Sequence, residues 1–143
     1  MSGLVGQVGS RSGVVGSTTD STQLDYEEGQ FTPVLNLSAG TRTEGTKSGH
    51  YVKIGRMVHV SLFIQITNAS SDAYISSITG FPFTAKAVSA TSMGMMRDNG
   101  VTGNVYQLRA SNNTTEFLIR RYDNAGTVAT NYEFQGSITY LAN

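Results

Sequence analysis

The chain contains no cysteine and no tryptophan. Without thiols it has no disulfide, no thiolate zinc site and no cysteine nucleophile. Net charge is absent as well: ten basic residues balance ten acidic ones. That leaves no electrostatic footprint for nucleic acid or for an anionic membrane surface. Long apolar runs are missing too. The longest, Met57–Ile66, is interrupted by His59, Ser61 and Gln65 and is too short to span a bilayer. The N-terminus lacks the charged and apolar regions of a secretory signal, and Ser2 stands where N-myristoylation needs glycine. The expectation is a protein with no nucleic-acid partner and no membrane insertion. Sequons at Asn36, Asn68, Asn112 and Asn113 then reflect a composition rich in Asn, Ser and Thr.

What is present divides the 143 residues into two parts. Residues 1–28 show no periodic hydrophobic pattern and read as an extended, glycine-rich arm with an acidic linker. From residue 29 onward, short β-rich runs alternate with turn signals every ~8–12 residues, the pattern of a sandwich or barrel. This second part, 29–143, is long enough to bury a core of its own.

The strongest strand is "MVHVSLFIQI" (Met57–Ile66). Val58, Val60, Leu62, Ile64 and Ile66 share one face, and Met57, His59, Ser61, Phe63 and Gln65 the other, the period two of a strand buried on one side. "GHYVKIG" precedes it and "AYISSI" and "GFPF" follow. "QFTPVLNL" reads as one edge or bulged strand, because Pro33 cannot donate to a ladder. "SATSMGMMR" reads as a strand ending at a tight "DNG" hairpin, since Asn and Gly tolerate positive φ. "NVYQLRA" and "EFLIRRY" form a further hairpin across "SNNTT", "DNAG" makes a turn, and "YEFQGSITYLA" closes the chain. No stretch reads as a helix. About eight antiparallel strands in two packed sheets is the expected solution.

The search for chemistry finds no enzyme. "GTRTEGTKS" resembles a phosphate-binding loop but has one residue too many and no helix after it, so it reads as a polar loop between strands. His50 and His59 have no acid near them in sequence, and a metal needs further ligands. "DYEE", with Asp20, concentrates acids at the end of the arm and reads as a solvated linker or an acidic strip meeting a basic partner. Arg109, Arg120 and Arg121 suggest a basic patch, although neighbours in a strand point to opposite faces. No catalytic residue, metal or cofactor is expected.

Four stretches carry a resemblance: "YEEGQFTPVL", "SGHYVKIGRMVHVSLFIQI", "ITGFPFTA" and "FQGSITYLA". In this order they resemble a recurrent domain of tailed-bacteriophage structural proteins of the tail-fibre, head-fibre and capsid-decoration type. The likeness spans residues 26–140 and departs from the family at Phe81, where leucine is usual. It implies a jelly-roll-like β-sandwich that trimerises in the manner of complement-C1q and tumour-necrosis-factor heads, with no catalytic activity.

On that reading the protein is a non-enzymatic virion component, made in the host cytoplasm. Its partners are two further copies of itself and a capsid or tail protein. The alternative is an adhesin module of a tail fibre that binds a host receptor or glycan. Tyr51, Met57, Phe63 and Tyr106 are expected to form an apolar subunit interface. The repeat "SGLVGQ" and "SGVVGS" in the arm has small aliphatics flanked by glycine. Leu4, Val5, Arg11, Val14 and Val15 are expected to lie on a partner surface as the virion anchor.

Overall fold

The computed structural model describes residues 26–87 and 92–143. They form nine β-strands and no helix: β1 (Tyr26–Phe31), β2 (Val34–Ala39), β3 (Arg42–Ile54), β4 (Met57–Ala69), β5 (Tyr74–Thr79), β6 (Met93–Asp98), β7 (Val105–Ala110), β8 (Phe117–Arg121) and β9 (Glu133–Leu141). All pairings are antiparallel, in one sheet of order β1-β3-β4-β9-β6-β7-β8-β5-β2. The two end strands, β1 and β2, are joined by Thr32 and Pro33 alone. A link that short brings the ends of the sheet together, so the sheet curls around its core as a half-barrel.

The all-β, antiparallel expectation holds, with β4 as read: Val58, Val60, Leu62, Ile64 and Ile66 are buried, and Met57, His59 and Ser61 are exposed. Burying each such aliphatic side chain stabilises the fold by roughly 1.5–3 kcal/mol before chain entropy is subtracted. The β3–β4 hairpin turns on Gly55 and Arg56. Gly55 has φ 58° and Ile54 pairs with Met57, the glycine-first two-residue turn whose twist matches the flanking strands.

Four local readings need correction. "QFTPVLNL" is two strands at opposite ends of the sheet, because Pro33 ends pairing instead of bulging it. "GTRTEGTKS" is not a loop: Arg42–Ile54 is a single strand with register shifts at Glu44. Those bulges aim Glu44 at three donors: Lys47 Nζ at 2.6 Å, Arg42 Nε at 2.9 Å and the Leu35 amide of β2 at 3.0 Å. The acidic linker ends sooner than expected, since Tyr26, Glu27 and Glu28 pair in β1 with Ile54, Lys53 and Val52. "DNG" is not a tight turn: residues 99–104 separate β6 from β7, and positive φ falls on Gly103 instead.

Two aromatic groups fill the core. Phe81 stacks on Phe117 at 3.8 Å, lies 5.4 Å from Phe31 and meets Tyr140 edge-on. Tyr51 meets the ring of Phe83 at 5.3 Å, and the Tyr140 hydroxyl donates to the Phe83 carbonyl at 3.1 Å. On the other side, Phe134 lies between Tyr106 and Tyr132, both edge-on. A bulge at Ser76 in β5 keeps both Ile75 and Ile78 facing inward, which strict alternation forbids.

Candidate functional site

Strand alternation sends half of each strand's side chains to the outer face of the curled sheet, where two patches stand out. The first is a row across four adjacent strands. Tyr26 pairs with Ile54, Ile54 with Met57, and Met57 with Leu141. All four are exposed large hydrophobic residues. Glu28, exposed beside the row, accepts a hydrogen bond from the Tyr26 hydroxyl at 2.6 Å. That bond, first, and the nearby carboxylate raise the pKa of Tyr26.

The second patch is a cleft of about 990 Å³ on the outer face of β9, β6, β7 and β8. Register builds it in two rows: Ser137, Met95, Gln107 and Arg120 across the four strands, and Met93, Arg109 and Leu118 beside them. Tyr122 stands at its end, 89% exposed, and Met95 is 70% exposed. Arg109, Arg120 and Arg121 all line the cleft, and no carboxylate does. Arg121 is bound to Asp123 through both nitrogens of a bidentate pair, which holds the Asp123 carboxyl down at about 2. Arg120 donates one nitrogen to the carbonyls of Ser76 and Ile119 and has no acidic partner among the described residues. Arg109 has no polar partner among the described residues. Methionine, aromatic and arginine side chains, which line it, are those that interfaces favour. Sequence alternation separated Arg120 from Arg121, but the cross-strand register that sets Arg109 beside Arg120 is not visible in it.

The expected interface residues divide between the two faces. Met57 and Phe63 lie on the outer face, Met57 within the apolar row. Tyr51 and Tyr106 do not join them. Tyr51 pairs with Val60 and so points inward, half-buried, its hydroxyl on Glu27 Oε1 at 2.7 Å. Tyr106 is 0% exposed, packed on Phe134. Burial pushes its hydroxyl pKa well up, and that oxygen has no hydrogen-bond partner among the described residues. The nearby Tyr132 adds to that rise.

His50 and His59 both face outward, and His59 Nδ1 lies 2.9 Å from the Thr139 hydroxyl. Among the described residues, no three His, Cys, Asp or Glu side chains gather where they would hold a metal ion. Nor is any helix among them long and apolar enough to cross a membrane. The anchor residues Leu4, Val5, Arg11, Val14 and Val15 lie outside the described residues. No family of known sequences, no curated protein and no solved structure matches the chain.

Proposed function

We propose that this chain is a non-enzymatic structural protein of a tailed-phage particle. It is a homotrimeric fibre or capsid-decoration protein with a jelly-roll-like head, held to the virion by its N-terminal arm. One observation carries the reading. The four stretches that resemble phage structural domains are far apart in sequence, yet they meet in one aromatic cluster. Phe31 comes from the first, Tyr51 from the second, Phe81 and Phe83 from the third and Tyr140 from the fourth. The cluster lies where the two ends of the sheet are joined. The motif aromatics Phe31, Tyr51, Phe81, Phe83 and Tyr140 are thus spent on closing the sheet, as a fold signature requires, and none of them lines the cleft. The exposed apolar row on the outer face supports self-association.

The arm supplies the test of attachment. Three copies on one trimer bind together, so weak contacts by Leu4, Val5, Val14 and Val15 add through effective concentration. Removing residues 1–17 is expected to leave the melting temperature of the isolated protein within ~2 °C of the full chain. Incorporation into particles is expected to be abolished. Full occupancy of particles by the truncated protein would contradict the anchor.

A further inference from the structure

We propose that the two outer-face patches are the two halves of a single interface between copies of this chain. The row Tyr26, Ile54, Met57 and Leu141, with Glu28 beside it, seats in the arginine-lined cleft of the next copy. The inference rests on the reading that the chain is a trimer and names the surfaces that build it.

Symmetry is the first argument. A self-complementary patch closes a dimer, whereas a threefold ring needs two different surfaces that fit one another. The described residues supply such a pair. One is apolar with a carboxylate at its side, and the other is methionine-lined with cations at its side. Both lie on the outer face of the curled sheet, on the two flanks of β9, so they cannot meet within one chain.

Charge is the second argument. Arg109 and Arg120 bring positive charge to a cleft without a carboxylate. The exposed Glu28 carboxylate accepts from a neutral tyrosine, so it keeps acceptor capacity for an arginine fork. The cleft's place in the sheet leaves little room for strand addition. Its strands β6 and β7 lie between neighbours on both sides, and β8 pairs with β7 throughout and with β5 at Phe117 and Leu118, so little free backbone edge faces an added strand. Recognition of the occupant falls mainly to side chains, and an apolar row of side chains on a rigid sheet meets that need.

The absence of cysteine makes the test direct. Molar mass in solution is measured for the wild type and for Arg109→Glu/Arg120→Glu. Separately, a Met57→Cys/Met95→Cys chain is treated with a short bis-maleimide, with each single-cysteine chain as control. The expected result is a wild-type trimer, at least tenfold weaker association of the arginine variant with its β-sheet circular dichroism intact, and covalent trimers from the double-cysteine chain only. A wild-type trimer that tolerates the arginine reversal and yields no covalent trimer places the interface elsewhere. That overturns this inference and leaves the trimer standing. A wild-type monomer, or a dimer, overturns both.

Discussion

Asp98 is the only fully buried carboxylate among the described residues. Its two oxygens accept from the amides of Thr102 at 2.7 Å, Gly100 at 2.9 Å and Glu133 at 3.0 Å, and from the Thr102 hydroxyl at 2.7 Å. Burial works to raise its pKa, but these donors outweigh burial and hold it below the ordinary carboxylate value. A folded-state pKa below the unfolded one contributes stability that is complete above about pH 4 and is lost as pH falls through the folded value. Asp98→Asn turns an NH2 group toward amide donors, at a cost of ~1–3 kcal/mol for each group left unpaired. Thermal melts of the two proteins from pH 7 downward are expected to converge as the wild type loses this contribution below about pH 4. Curves that stay parallel would contradict the role of the ionised carboxylate. The residues of this loop were legible in the sequence as turn formers, but not its length. "DNG" names residues that tolerate a tight turn. What sets the connection is where the Asp98 side chain points, and that depends on burial against β9.

Among the elements, the β1–β2 corner and the segment around Phe81 hold the curl of the sheet. Phe81 is buried against Phe31, Phe117 and Tyr140. Phe81→Ala is expected to destabilise the protein by about 3–5 kcal/mol in urea unfolding, the range for a truncated core phenylalanine. A loss under ~1 kcal/mol would show that the corner is held by something other than this cluster. Legibility varied by element for a physical reason. β4 was readable because hydrophobic and polar residues alternate without a break. The second half of β3 was readable as "GHYVKIG", but the first half was not, because Thr, Glu, Gly and Lys say nothing of burial, and its pairing with β4 shifts at Glu44. In β7, the alternation of Tyr106, Leu108 and Ala110 with Val105, Gln107 and Arg109 does mark the core face, and Tyr106 belongs to it. In β6, Met93, Met95 and Met96 are chemically alike, and only pairing with β7 and β9 shows that Met96 is the inward one.

At the scale of the whole molecule, the outer face of the half-barrel is the surface that the proposed assembly uses. It presents an apolar row and an arginine cleft, and neither is covered by the other described residues. Of the row, Met57 was visible in the sequence, since it follows from the period of β4, which puts Phe63 on the same outer face. Of the cleft, the sequence suggested Arg109, Arg120 and Arg121 as a basic patch, but not Met93 and Met95 beside them, which come together with the arginines only through the register of four strands. A head of this kind gains burial by assembling, and the central claim is that it assembles as three. Sedimentation equilibrium of the full chain at micromolar concentration tests it most directly. The account predicts a single species of three times the 15.3 kDa chain mass. A stable species at the mass of one chain would contradict it.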